Sequence, residues 1–523
     1  TSNTTGSYNT AVGRNSLYST TTGVRNTASG LNAGYSITTG DYNTAMGGNA
    51  LYSTTTADDN VAIGHQALYT NSTGANNTSI GKNSLYYNTT ASANTAVGNL
   101  ALTATTTGAN NTGVGQNVLT ANTTGACNTA VGVNALDANT TACRNTALGF
   151  ASLTANTTGC YNTAIGAQAL EDNTTGKDNV AIGKQALTNN TTVDNNVAVG
   201  VNALYTNTTG GNNTAIGFNS LCAHTTGNRN VAVGMYALDA NTTADNNTAV
   251  GFSSLSANTT GTSNVGVGAY ALKVTTTGAC NVGMGNNAFN CNTTGGCNVG
   301  IGHEALNCNT TASTNTAVGY QSAWSNTTGS QLVAVGCGAL KANTTAANNV
   351  AVGFCALQAN TTAENNTSVG SHALLVATTG HSNTAVGYAA LYANTTGADN
   401  VAIGEDAGCS LTTGITNTFV GQNAGCQVTT PEGNVFIGHE AAGNHVSGNN
   451  NIAIGTNAGQ DQVRNLTGSC THNIVIGGNS HENAYIKIDW TVTSDLRDKT
   501  NIEDVPHGLN FVNQLNPIKF QFK

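Results

Sequence analysis

The sequence predicts an all-β fold, a parallel β-solenoid (β-roll) of 17-residue coils that associates as a trimer, with a short C-terminal segment outside the repeat. Three observations carry this. A pentad of the form Asn-Thr-Ala-Val-Gly, first seen at Asn9-Thr10-Ala11-Val12-Gly13, returns at Asn26, Asn43, Asn60 and Asn77, a constant step of 17. The chain is poor in charge (7%) and aromatics (5%) yet rich in glycine, 63 of 523 residues. It holds only three prolines.

The period is unusually regular. From Asn9 to Asn451 there are 26 steps of 17 without a slip, and one further copy, Asn473-Ile474-Val475-Ile476-Gly477, follows an insertion of five residues. The consensus coil is N-T-A-V-G-x-N-A-L-x-x-N-T-T-G-x-x, and its positions are numbered one to seventeen from the first asparagine. Position five is glycine in all 28 coils, position one is asparagine in all but Leu332, and position nine is leucine in 20. A 17-residue unit is too short for a helix pair and suits one turn of a solenoid. Position five fits a corner that needs positive φ or close approach between coils. Asparagine fits left-handed turn positions, and stacked copies of it form amide ladders. The first proline is Pro431, as expected where each coil donates its amides to the next.

Stacking at about 4.8 Å per coil gives a shaft on the order of 130 Å long. Each coil brings about two large apolar residues, at positions four and nine, a thin core for its surface. Burying a second apolar face between chains is the expected remedy, hence a homotrimer. The regular shaft spans 1–399. In 400–477 the coils vary: Gly408, Gly425 and Gly459 replace the leucine, and 460–472 is enlarged. A connector, 478–493, precedes a different unit at 494–523 that carries more charge and two of the prolines.

Other classes of function find no support. A net charge of −9 without any Lys/Arg cluster offers no footprint for nucleic acid. No run of ~18 apolar residues predicts a membrane span. The 10 histidines are scattered, there is no calcium-loop repeat, and no Cys-x-x-Cys has a partner, so no metal site is expected. No Gly-rich loop opens a helix, so no cofactor is expected. No acid–base pair or pocket-forming insertion interrupts the coils, and an enzyme acting on another molecule is not predicted.

Two residue sets follow from the period. Asn-Thr-Thr (once Asn-Ser-Thr) at positions 12 to 14 is an N-glycosylation sequon, at Asn71, Asn88, Asn122, Asn139, Asn156, Asn173, Asn190, Asn207, Asn241, Asn258, Asn292, Asn309, Asn326, Asn343, Asn360 and Asn394. It predicts a glycan-bearing ridge of partial occupancy, or else a turn whose side chains satisfy the backbone. Among 13 cysteines, Cys143/Cys160, Cys280/Cys297, Cys291/Cys308 and Cys409/Cys426 are each 17 apart. Equal positions on adjacent coils lie within the Cα separation a disulfide tolerates, so four axial staples and an oxidising location are expected. The alternative is that cysteine replaces small residues at variable positions.

The C-terminal unit reads Ser494-Asp495-Leu496-Arg497-Asp498-Lys499, then Gly508-Leu509, Leu515-Asn516-Pro517 and Phe520-Gln521-Phe522-Lys523. This resembles the start of the endosialidase-type intramolecular chaperone domain of phage tail spikes and tail fibres. The resemblance implies trimerisation, directed folding of the fibre and one self-cleavage before Ser494. Ser494 would be the nucleophile, Lys499 its general base, and Asp495 and Arg497 supporting motif residues; a desolvated lysine is chemically suited to take a hydroxyl proton. Ending at Lys523, the domain is expected to be truncated; starting at Thr1 without Met, the chain is expected to be a processed form or a fragment. The coils resemble the Asn-Thr-Ala-Ile-Gly repeats of tail-fibre proteins and, more distantly, the β-roll heads of trimeric autotransporter adhesins, whose repeat is shorter.

The expected function is a structural, extracellular fibre shaft of a virus tail or surface appendage. Its partners would be itself (homotrimer, or end-to-end filament) and a host-surface glycan or protein, with the 400–477 coils as a candidate tip. Alternatives are a bacterial or algal surface adhesin or matrix filament and, most distant, an ice-binding solenoid, for which the Thr-x-Thr spacing on one face is absent.

Overall fold

The computed structural model describes residues 3–460, 466, 469–478, 480 and 481. Each coil contributes one three-residue strand, from β1 (Thr10–Val12) to β28 (Ile474–Ile476). Consecutive strands pair in parallel and in register, residue against residue 17 further on, as in Val231↔Thr248, Ala232↔Ala249 and Val233↔Val250. The last pairing absorbs the insertion and joins Ile452 to Ile474. The result is one continuous parallel sheet along the stack, built from short runs of β-branched residues that suit a pleated ladder.

Outside the strands the chain also bonds to the next coil. Leu255 N–H donates to the Ala271 carbonyl at 2.9 Å, and Ala257 N–H to the Lys273 carbonyl at 2.9 Å. Corners come from four positive-φ positions per coil. Position five has φ between +121° and +143° in the coils from Gly13 to Gly455, and positions seven, nine and seventeen sit near +55°, as at Asn219, Leu221 and Arg229. The asparagines expected in left-handed turns are those of position seven, such as Asn134 and Asn219; among the described residues no position-one asparagine has positive φ. The left-handed load falls partly on leucine, a conformation L-residues adopt only where the surroundings impose it.

The core also differs from expectation. From β2 on, the central residue of each strand is buried and its neighbours face outward, so Ala232 and Ala249 are buried while the position-four side chains are half-exposed or exposed. Of the two large apolar residues per coil, only the position-nine leucines, such as Leu238 and Leu255, enter the core, alongside alanines at positions three and eight. Volume is traded locally between positions. Coils with Gly34 or Gly408 at position nine place Ile37 or Leu411 at position twelve, and Gly34 stands so close that an added Cβ would meet Ile37 Cδ1 at 3.0 Å. Phe419 fills the space beside Gly408 and Gly425 in the same way.

Candidate functional site

The interior is held by two asparagine ladders. At position one, Asn77 N–H donates to Asn60 Oδ1 at 3.0 Å, and Asn77 Nδ2 to the Ala91 carbonyl at 2.9 Å. At position twelve, Asn156 Nδ2 donates to Asn139 Oδ1 at 3.1 Å and to the Gly159 carbonyl at 3.0 Å. Where both bonds form, an amide satisfies a neighbouring coil and a turn, which makes buried polar groups tolerable; the Nδ2 atoms of Asn241 and Asn394 are buried without a partner. All sixteen sequon asparagines, from Asn71 to Asn394, are fully buried. Of the two readings of the sequon, the turn whose side chains satisfy the backbone is the one these bonds and this burial favour over a glycan ridge. What the turn does expose is position fourteen, a threonine in every coil from Thr22 to Thr430. Position thirteen is tied down, as where Thr157 Oγ1 donates to the Thr174 carbonyl at 3.0 Å.

The eight cysteines of the expected staples are free thiols, so the four disulfides are not formed in the structure. The register does stack the pairs. Cys143 and Cys160 bring their sulfurs to 3.2 Å. Cys409 and Cys426 instead each turn the sulfur to a carbonyl one coil on, that of Cys426 and of Gly443 at 3.4 Å. Cys280 and Cys297 are exposed, and Cys291 and Cys308 half-buried. The hydrogen bond with Cys160, then burial, raise the Cys143 thiol; burial raises Cys308, Cys409 and Cys426. A raised thiol is a poorer nucleophile at neutral pH.

Histidine replaces the ladder asparagine at His224, which is fully buried. Its Nε2 shares a hydrogen bond with the Gly227 carbonyl at 2.7 Å. Burial lowers its pKa, partly offset by Gly227, Asn241 and Asp245. The unfolded chain therefore takes the proton first. Stability is whole above the unfolded value of about 6.5 and falls below it by up to about 1.4 kcal/mol per pH unit, levelling off under the folded pKa. Urea unfolding at pH 7.5 and 5.5 is expected to show a larger loss for the native chain than for His224→Asn. Equal losses would rule His224 out as the cause.

Outside, the rings of Tyr18, Tyr35, Tyr52, Tyr69 and Tyr86 stack in a column with centroids 5.1–5.2 Å apart. The flank of the sheet is a second ordered surface: positions two and four alternate outward along all 28 strands. No sequence signal told which member of Thr-Ala-Val faces the solvent. Where the variable coils begin, Tyr388, Tyr392, Asp406 and Ser410 border an open cavity of about 580 Å³.

Ser494, Asp495, Arg497 and Lys499 lie outside the described residues, as does the chain beyond 481. Residues 494–523 match the family model described as chaperone of endosialidase. The chaperone match thus begins at the Ser-Asp-x-Arg-x-Lys motif, 17 residues after Gly477, the glycine of the last coil. No curated protein matches the chain.

Proposed function

We propose that this chain is the shaft of an extracellular, phage-tail-fibre-like structural protein, and that copies of it associate side by side as a homotrimer. The observation that carries the reading is one parallel stack of 28 strands followed, 17 residues after its last glycine, by a chaperone-of-endosialidase match. A stack bonded coil to coil resists bending and spaces its ends; a chaperone segment suits a β-fibre whose long-range pairing is slow to form. In this reading the C-terminal segment is removed once, by Ser494 attacking the preceding peptide bond with Lys499 as base, and the protein has no other catalytic role. The same match supports an extracellular location on a tail.

Lateral association is supported by the outward face of the sheet. Position four presents Met284, Ile301 and Ile403 about 40% exposed. Position six adds exposed Phe150, Phe218, Met235 and Phe354 beside it. Extended apolar surface of this kind marks contact sites. A standard interface buries about 800 Å² per partner, which over 28 rungs is only about 30 Å² per coil. A partner with the same axial repeat meets every rung in register, and a second copy of the chain has that repeat by construction.

Light scattering on the full chain is expected to give three times the chain mass, and electron microscopy rods on the order of 130 Å or longer. Glutamate at Val233, Val250 and Val267, three consecutive position-four sites, should release monomers with an unchanged β spectrum. A monomeric native chain would refute the association, and compact globules in the images would refute the shaft itself.

A further inference from the structure

The coil at 383–399 differs from its neighbours on one side. It carries tyrosine at positions six and ten, Tyr388 and Tyr392, 54% and 41% exposed. Between them the surface drops to Ala389, nearly buried at 6%, and Ala393. Asp406, Cys409 and Ser410 of the next coil close the lower edge of the cavity. Small residues thus make a floor and two rings make walls. The other coil with Phe, Tyr or Trp at both positions holds Tyr320 and Trp324, but Gln321 stands where the alanine floor would be.

The walls are held in place. Tyr388 meets the His372 ring edge-to-face at 6.0 Å, and His372 meets Phe354 in the same way at 5.3 Å. Asp406 N–H donates to the Tyr388 carbonyl at 2.9 Å, which fixes the carboxylate's coil against the ring above it. The Asp406 carboxylate is half-buried and accepts no hydrogen bond from the described residues. The acceptor is therefore open to a ligand. Glu405 beside it is engaged with Gln422 at 3.1 Å. Between Lys341 and Arg464 there is no lysine or arginine at all.

We infer that the hollow between Tyr388 and Tyr392 binds a pyranose ring of a neutral or amino sugar. Tyrosine faces take the apolar C–H face of such a ring, and the unpartnered Asp406 carboxylate with Ser410 Oγ takes its hydroxyls; a mostly apolar cleft with a few placed polar groups is the usual form of a small-ligand site. Cation-free surroundings and Asp406 disfavour sialic and uronic acids by like-charge repulsion. Tyr388 stands on the position-six ridge that also carries Phe354, so the site requires the coil at 383–399 to stay uncovered in the lateral association proposed above. The site deepens the shaft reading by giving the appendage a contact chemistry at the start of its variable coils.

The test uses the full chain with methyl pyranosides of glucose, galactose, mannose and glucosamine, and with glucuronic acid, in calorimetry and saturation-transfer NMR. At least one neutral or amino pyranoside is expected to bind in the millimolar range, with transfer strongest to ring C–H protons and glucuronic acid at least tenfold weaker. Tyr392→Ala and Asp406→Asn should each weaken binding at least tenfold with the β spectrum intact; Tyr320→Ala should leave it unchanged. Binding of none of the sugars, or binding indifferent to Tyr392→Ala and Asp406→Asn, overturns the site. Rods of normal length in the same preparations would leave the shaft reading standing, so the two failures are distinguishable. Matching affinity for free sugar and for the same sugar on a polysaccharide would assign recognition to the ring; preference for the polysaccharide would extend the site along the shaft.

Discussion

Replacing Gly251 with alanine is expected to remove on the order of 4 kcal/mol of stability. Two causes add. The residue has φ +134°, a conformation nearly reserved for glycine. A Cβ there would stand 2.6 Å from both the carbonyl carbon and oxygen of Gly268. Those are backbone atoms of the next coil, and they cannot retreat, because Gly268 N–H is bonded to the Val250 carbonyl at 2.7 Å. The same collision recurs along the stack at this position, which explains why no coil carries any other residue there. Solenoids transmit stability between nearest neighbours, so the substitution should also split a single urea transition into two, one for each side of the break. Circular dichroism through the transition measures both effects. Thr260→Ala, an exposed position, is the control and should stay within about 0.5 kcal/mol. An alanine variant as stable as the native chain would mean that neighbouring coils are not in direct backbone contact at this corner.

The second large effect concerns Phe289, the one phenylalanine at position nine. It is fully buried, and the strands beside it carry Gly283 and Gly300 where most coils have alanine. A Cβ on Gly300 would lie 2.4 Å from Phe289 Cε2. Phe289→Ala should therefore cost about 3–5 kcal/mol by opening a cavity. Gly300→Ala alone should cost about 1–3 kcal/mol by overpacking. Combined as Phe289→Leu with Gly300→Ala, the coil returns to the consensus pair, and most of the Gly300→Ala loss should be recovered. A coupling of at least about 1 kcal/mol in the double-mutant cycle is expected. Strict additivity would show that the ring and the glycine do not share one volume.

These two sites show how much was legible beforehand. Glycine at position five was readable as a corner or a close approach because it never varies, and it proved to be both. The asparagine ladders were readable from repetition alone, since identical side chains at a fixed axial step must lie against each other. The direction of each side chain was not readable. Thr-Ala-Val alternates equally well with alanine in or alanine out, and a one-residue change of phase exchanges the faces. Reading valine as core followed from residue type and was wrong, and choosing between the glycan ridge and the turn at the sequon was out of reach, for one reason. The left-handed turns at positions seven, nine and seventeen set the path of the chain, and that path aims Asn156 and its equivalents inward while leaving Ile301 outside. The hollow beside Tyr388 was equally hidden, because it is made by residues from two coils, 18 positions apart for Tyr388 and Asp406.

By itself the sequence determined the period, the axial stacking, the parallel register and the chaperone-like end, because each of these depends only on what recurs every 17 residues or on one local motif. The tertiary structure alone decided which face is core, which asparagines are sheltered and where a concave surface opens. Those depend on the angle through which each corner turns the chain, a quantity summed over backbone torsions that no single residue type specifies.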